Sequence, residues 1–303
     1  MKKFRYHLVD VFTDRAFGGN PLAVFTDASG LSAETMQAIA KELNLSETAF
    51  VLPPEGSRND YRVRFFTPAV ELPMAGHPTI GTAFVLALEQ MTDFKSTIRL
   101  EEGVGVIPVN INWQGDAPAE IQMSQPLPVF GSRFADAGAI AEMLSIEEGA
   151  ITETGLPLEV VSTGVPFLFV PVKRLQDARA IRFRREVWER VLLNFETPHV
   201  FVFTLETETA GATVHSRMFA PAMGITEDPA TGGASGPLGC YLARHRVVLP
   251  NSSGAIEFVS EQGMEMGRPS FIKIKIELAE EKISGVKISG QCHLIGEGFF
   301  YIG

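Results

Sequence analysis

The sequence predicts an α+β fold of two pseudo-symmetric domains, each a mostly antiparallel sheet wrapped around one apolar helix. Three observations predict it. Short segments of the first half recur in the second, in the same order and at nearly constant spacing. Each half reads strand, strand, helix, strand, strand, helix, strands. Each half also carries one helix, Pro78–Gln90 or Pro229–His245, that is apolar on several faces, the mark of a buried element.

The recurring segments carry the duplication. Gly19-Asn20-Pro21-Leu22-Ala23-Val24-Phe25 matches Gly164-Val165-Pro166-Phe167-Leu168-Phe169-Val170, and Phe50-Val51-Leu52 matches Phe201-Val202-Phe203. Arg64-Phe65-Phe66-Thr67-Pro68-Ala69 matches Arg217-Met218-Phe219-Ala220-Pro221-Ala222. His77-Pro78-Thr79-Ile80-Gly81 matches Asp228-Pro229-Ala230-Thr231-Gly232. Any one match alone is noise; four in register imply two copies of one domain. The period is too long for a solenoid, whose units repeat every ~20–50 residues.

In the first copy, Arg5–Phe12 and Leu22–Phe25 are rich in strand formers. Met36, Ile39, Ala40 and Leu43 then fall at helical spacing behind the N-cap candidate Ser32. Strands Thr48–Leu52 and Tyr61–Thr67 lead to the apolar helix Pro78–Gln90. The second copy repeats this with strands Val160–Ser162, Phe167–Val172, His199–Thr204 and Thr213–Phe219, and helices Arg185–Leu193 and Pro229–His245. In the tail strand Ser270–Leu278, Ile272, Ile274 and Ile276 alternate with Lys273 and Lys275, giving one apolar and one solvated face. A short helix, Asp136–Leu144, lies near the junction. The turn-rich stretch Asp116-Ala117-Pro118 places the boundary. The expected domains are 1–117, completed by the C-terminal strand at about 291–303, and 118–290.

Composition excludes several classes. The 303 residues are 45% hydrophobic and 20% charged, ordinary for a folded globular chain. A net charge of −10 argues against nucleic-acid binding, which needs a basic stripe, but leaves room for a local anion site. The longest apolar runs fall far short of the ~20 residues of a membrane span, and Asp10 interrupts the only candidate for a signal peptide. Two cysteines, Cys240 and Cys292, make no disulfide framework, so free thiols and a cytoplasmic location are expected. The six histidines show no metal-ligand spacing, so no metal is expected.

His77-Pro78 and Asp228-Pro229 share a physical logic. Proline is tolerated at the first helical position, and the polar residue before it suits the N-cap. Helix N-termini carry partial positive charge and unpaired N–H groups, so two such starts facing one cleft form an anion or oxyanion site. The plain alternative is capping alone.

The segments FGGNPLAVF, NLSETAFV, RFFTPAVELPMAGHPTIGTA and EDPATGGASGPLGCYL resemble those of the phenazine-biosynthesis PhzF-like isomerase family, which shares the fold of diaminopimelate epimerase. The resemblance covers nearly the whole chain. It implies barrel-like sheets around central helices, an active site between the domains, a cofactor-free isomerase, and a homodimer. It places the family's catalytic glutamate on Glu47, its G-H-P histidine on His77 after Gly76, and its D-P-A-T-G aspartate on Asp228. Asn20, Gly76, Gly232, Gly233 and Ser235 are the expected substrate-binding positions. The family continues the last motif with Ser where this chain has Gly233, and a serine follows only at Ser235. The two-cysteine racemases of the fold carry a thiol at each helix start; here those places hold His77 and Asp228, so a two-thiol mechanism is not expected.

The chemistry expected is a proton shift within a small carboxylic acid resembling dihydro-hydroxyanthranilate. Glu47 takes a proton from an activated C–H and returns it elsewhere on the same conjugated system, helped by an apolar setting of Leu45, Ala49 and Phe50. Two readings compete. One is a non-catalytic small-molecule-binding or protein-interaction member of the fold, kept open by Gly233. The other is a serine hydrolase, opposed by Pro237 where a nucleophile elbow needs glycine. His199, next to the strand matching the one after Glu47, reads as a core or surface residue.

Overall fold

The computed structural model describes residues 1–303 and divides into two compact units, 1–124 with 288–303 and 125–287. The expected boundary at 117/118 falls inside a strand, and that at 290/291 falls between two strands. The turn at Gly115-Asp116 joins two strands of the N-terminal unit as a hairpin.

The N-terminal unit runs β1 (Lys2–Val11), β2 (Asn20–Phe25), α1 (Ala33–Leu43), β3 (Glu47–Leu52), β4 (Tyr61–Phe66), β5 (Glu71–Leu72), α2 (Gly76–Leu88), β6 (Thr97–Glu102), β7 (Gly105–Gln114) and β8 (Ala117–Gln125). The C-terminal unit follows with β9 (Val129–Arg133), α3 (Ala137–Leu144), α4 (Gly149–Thr152), β10 (Glu159–Ser162), β11 (Pro166–Pro171), α5 (Leu175–Ala180), α6 (Arg185–Val191), β12 (Val200–Thr204), β13 (Val214–Ala220), β14 (Ile225–Asp228), α7 (Gly232–Arg244), β15 (Ala255–Gln262) and β16 (Ser270–Ala279). Strand β17 (Lys282–Gly290) carries the chain back, and β18 (Cys292–Ile302) completes the first unit by pairing along all of β1.

The duplication is visible in the ladders. The first unit orders its strands β18-β1-β2-β3-β4-β6-β7, with β5 added to β4. The second orders them β9-β10-β11-β12-β13-β15-β16, with β14 added to β13. Parallel pairs fall at the same two places in each, β2/β3 with β4/β6 and β11/β12 with β13/β15; the other pairs are antiparallel. A bidentate clamp recurs as well: Arg64 on Glu71 at 2.7 and 2.7 Å, and Arg217 on Glu227 at 2.8 and 2.9 Å.

Each central helix touches strands from both ends of its sheet, α2 against β1, β2, β3 and β7, and α7 against β10, β11, β15 and β16. A sheet reaching one helix from both ends must curl around it. Both helices are buried on nearly all sides, as apolar composition all round requires. Close packing demands glycine at Gly81, where a Cβ would lie 2.6 Å from Leu22 and 2.7 Å from Val11.

Helix α1 covers the outer face of the first sheet. Ser32 caps it by accepting the Thr35 N–H, and Met36, Ile39 and Ala40 pack on Phe25, Phe50 and Phe66. Strand β3, held between α1 and α2, is buried along almost its whole length. Helices α3 and α6 fill a corresponding outer core in the second unit. No helix is long and apolar enough to cross a membrane.

The structure corrects the two helix starts. Helix α2 begins at Gly76 with Ala75 as N-cap, so His77 is its second residue and Pro78 its third. Proline fits there because the first four N–H groups of a helix have no intrahelical partner. Helix α7 begins at Gly232 with Thr231 as N-cap, while Asp228 ends β14, paired opposite Met218. Neither start has a side-chain cap. A strand ladder and a buried glutamine, described below, hold Asp228-Pro229 out of the helix and override its local start signal.

Candidate active site

In the N-terminal unit three expected residues meet. Gly19 turns the chain into β2 with φ +59°, where a Cβ would sit 2.3 Å from the Val11 carbonyl oxygen, so only glycine fits. Asn20 follows as the first, fully buried residue of β2. Glu47, the first residue of β3, pairs beside Leu22 of β2 and is only 8% exposed. Helix α2 presents His77 in its first turn, 4% exposed. His77 Nε2 lies 3.3 Å from Glu47 Oε2, a close approach without hydrogen-bond alignment. His77 Nδ1 lies 3.2 Å from the Asn20 side-chain nitrogen.

These distances fix the electrostatics. Burial pushes His77 down to about 3, so its imidazole is neutral near pH 7. An amide NH₂ only donates, so Asn20 selects the tautomer in which Nδ1 accepts and Nε2–H faces Glu47. A neutral donor beside the carboxylate leaves it freer to take a proton than an imidazolium in a full ion pair would. Gly76 is buried at the head of the same helix.

In the C-terminal unit Asp228 is 4% exposed, and its Oδ2 accepts from Thr231 Oγ1 at 2.6 Å. Gln262, at the end of β15 and fully buried, holds this loop from below. It donates to the Asp228 carbonyl at 2.7 Å and to Thr231 Oγ1 at 3.0 Å, and accepts the Thr231 N–H at 3.0 Å. Gly263 lets the loop come close: a Cβ there would sit 2.6 Å from the Pro229 oxygen. Ser235 is fully buried and donates its hydroxyl to the Thr231 carbonyl at 2.9 Å. Gly232 opens α7, and Gly233 has open space where a Cβ would stand.

The ladders also correct the internal alignment. Arg64 and Arg217 remain matched, and Phe65 pairs with Leu72 as Met218 pairs with Asp228. Asp228 therefore stands where Leu72 does, Pro229 where Pro73 does, and Gly232-Gly233 where Gly76-His77 do. Thr79 and Ser235 confirm this register, each hydroxyl returning to the carbonyl four residues back, Ala75 or Thr231. The sequence match had locked onto the wrong proline of the first copy, because proline is the strongest letter in both segments. The strand match also moves by one residue. Thr48 faces Phe66 as Val200 faces Phe219, so His199 takes the ladder place of Glu47. His199 is 8% exposed, lies against the Phe167 ring and is pushed down to about 4 by burial.

A family model described as phenazine biosynthesis-like protein matches residues 9–298. The chain belongs to the PhzF-like isomerase family. It is 38% identical over 300 residues to a trans-2,3-dihydro-3-hydroxyanthranilate isomerase of Pseudomonas aeruginosa, covering 98% of this chain and 99% of that one. Its fold is similar to that of a phenazine biosynthesis protein of the PhzF family from Bacillus anthracis, with TM-score 0.90, 30% identity and full coverage of both chains. A hydroxyproline epimerase of Agrobacterium vitis, 12% identical, shares the fold alone, with TM-score 0.67 over 98% of this chain and 92% of that one. This PhzF-family chain is thus an isomerase.

Two residues that bond the two helix starts were missed by sequence reasoning, Gln262 at Thr231 and Glu102 at Thr79. Both act across the chain, on helix starts far away in sequence, and no local motif marks them. Cys240 lies buried inside α7, pushed up to about 12 by burial, and Cys292 opens β18 opposite Val11.

Proposed function

We propose that this isomerase moves a proton within a small conjugated carboxylic acid of the trans-2,3-dihydro-3-hydroxyanthranilate type, with Glu47 as the single base and acid. The observation that carries this reading is the buried Glu47 carboxylate against a neutral His77 that Asn20 holds in one tautomer. Glu47 takes the proton from an activated C–H, and the electron pair moves through the adjacent double bond. The same carboxyl then delivers the proton to the far carbon. Atoms and electrons balance, so the shift itself needs no oxidant, reductant or cofactor. Developing negative charge falls near the unpaired N–H groups that open α2. The name of the Pseudomonas aeruginosa relative supports the substrate class.

Asp228 is proposed to bind or polarise the substrate's polar groups. Gly76, Gly232 and Gly233 offer backbone N–H groups at the two helix starts, and Asn20 acts through His77. Ser235, committed to the Thr231 carbonyl, contributes by shaping that start. A cytoplasmic homodimer without nucleic-acid or membrane partners is part of the same reading: the two free thiols support the location, the acidic balance speaks against nucleic acid, and the homodimer rests on the family resemblance.

The test is Glu47→Gln with trans-2,3-dihydro-3-hydroxyanthranilate in D₂O, followed by proton NMR. Removing a general base costs about 10²–10⁴ in rate. Deuterium incorporation is expected to fall to background while substrate binding persists. Undiminished incorporation overturns Glu47 as the base.

A further inference from the structure

Glu102 ends β6 beside the start of α2, and the proposed chemistry makes no use of it. It is 9% exposed. Its Oε1 lies 2.6 Å from Thr79 Oγ1, and Thr79 Oγ1 lies 2.6 Å from the Ala75 carbonyl oxygen. A threonine hydroxyl has one proton, and a carbonyl oxygen can only accept. If Thr79 donated to an ionised Glu102, the hydroxyl and carbonyl oxygens would stand 2.6 Å apart with no proton between them. If Glu102 is a carboxylic acid, every contact has its proton: Glu102 donates to Thr79, and Thr79 donates to Ala75. The second carboxyl oxygen, Oε2, is buried and makes no hydrogen bond, which suits the carbonyl of an acid far better than half of a carboxylate.

The duplicated fold supplies an independent observation. In the first unit Tyr61 pairs with Leu100 and Arg62 with Glu101; in the second, Val214 pairs with Ser260 and His215 with Glu261. Glu102 and Gln262 therefore occupy the same place in the two units. Their neighbours agree: Glu101 accepts the N–H groups of Glu55 and Gly56, and Glu261 those of Glu208 and Thr209. A Cβ on Gly103 would press on Pro73 as one on Gly263 would press on Pro229. The C-terminal unit fills this place with an amide, a side chain that is always neutral and always able to donate.

We propose that Glu102 is a positioning residue whose neutral, protonated carboxyl pins the first turn of α2, and with it His77 against Glu47, so that losing this proton loosens the site. This rests on the role given to Glu47 only for its catalytic consequence. The groups packed around Glu102 do not compete for the proton. His77 is the only titratable side chain on α2, and β7 carries none. On β6 and β4, Arg99, Glu101, Arg62 and Arg64 belong to the alternate face of the sheet, where Glu101 bonds Asn59 and Arg62 pairs with Glu55, while Tyr61, on the same face as Glu102, commits its hydroxyl to the Met91 carbonyl. Burial pushes Glu102 up to about 8, in line with the geometry.

Two measurements test this. The first is infrared difference spectroscopy of the whole chain, labelled with ¹³C-carboxyl glutamate, across pH 5–10. Wild type is expected to show a buried carboxylic-acid carbonyl band that titrates near 8 and is absent in Glu102→Gln. Thr79→Val is expected to move the band without removing it. No such band at pH 6, or one that persists in Glu102→Gln, overturns the protonation whether or not the chain isomerises this substrate. The second is the pH profile of kcat. Wild type is expected to lose about tenfold per pH unit above the midpoint, and Glu102→Gln to lose that limb, its amide donating to Thr79 at every pH. A limb unchanged in Glu102→Gln, with the infrared band confirmed, overturns the positioning role and leaves Glu47 untouched. Failure of Glu47→Gln to abolish exchange leaves the infrared result standing.

Discussion

Replacing Gln262 by leucine removes a side chain that satisfies two buried backbone groups at once. Leucine fills most of the volume but can neither accept the Thr231 N–H nor donate to the Asp228 carbonyl, now held at 3.0 and 2.7 Å. The third bond, to Thr231 Oγ1, is lost at little cost, because that hydroxyl still donates to Asp228 Oδ2. Leaving the buried Thr231 N–H unsatisfied costs about 1–3 kcal/mol, and losing the amide's bond to the Asp228 carbonyl costs about 0.5–1.5 kcal/mol more. The loop cannot relax into the helix, since Asp228 is tied into β14 opposite Met218 and Gly263 leaves no slack at Pro229. The expected loss is about 1.5–4.5 kcal/mol, read as a lower urea midpoint with unchanged slope. If Asp228 serves the substrate, KM rises or kcat falls as the loop shifts, while Gln262→Glu loses function most above the pH at which its carboxyl ionises. A Gln262→Leu variant within about 0.5 kcal/mol of wild type would refute the reasoning, because it would mean that this loop holds its shape without the glutamine.

Three further outcomes follow from the same geometry. His77 ionises at about 3 in the fold against 6.5 free, so the unfolded chain binds more protons between those values and stability falls as pH drops below 6.5. The loss attributable to His77 is about 1.4 kcal/mol per pH unit, or about 2 kcal/mol by pH 5, and urea titrations of His77→Asn should lack it. His215 runs the other way. Burial alone would lower it, but hydrogen bonds to Glu261 and Glu265, both 2.9 Å, outweigh burial and hold it up to about 9. Its contribution is complete below 6.5 and disappears as pH rises through 9, so the stability difference between wild type and His215→Gln should shrink across that window. Gly233→Ser should be tolerated, because the site for its Cβ is open and serine is the better helix former by a few tenths of a kcal/mol; a fall in Tm of several degrees would contradict this.

Much of the fold was legible because it is written in short periods. The 3.6-residue pattern behind Ser32, the all-apolar helices and the alternation of Ile272, Ile274 and Ile276 each report on their own neighbourhood. The duplicated order of segments carried the architecture of both units. What failed did so for a physical reason. Asp228-Pro229 looks like a helix start, but the ladder to Met218 and the side chain of Gln262 decide otherwise, and both partners lie far away in sequence. Glu102 and Gln262 end strands of ordinary composition, and only the fold brings them to helix starts. Glu47, Asn20 and His77 meet in the N-terminal unit through pairings distant in sequence, and the neutrality of His77 needed the coordinates, since it depends on complete burial.

The corrected alignment also explains why a duplicated scaffold can carry unequal chemistry. What the two units share are the parts on which the fold depends: the parallel pairs, the Arg–Glu clamps, the hydroxyls of Thr79 and Ser235, and glycines Gly103 and Gly263 against their prolines. What they do not share are the position at the head of the parallel ladder, Glu47 against His199, and the second residue of the central helix, His77 against Gly233. Those two positions are free to differ because the side chain there does not set the backbone's path: one stands at the head of a strand whose ladder fixes it, and the other lies in a first helical turn, whose N–H groups make no intrahelical bond. The strand-end pair Glu102 and Gln262 lies between these classes. The place must be neutral and must donate, which an amide achieves permanently and an acid achieves only while it keeps its proton. The pH sensitivity proposed for the N-terminal unit is therefore a consequence of which of two nearly isosteric side chains that unit carries, and the twin position shows that the scaffold accepts the other.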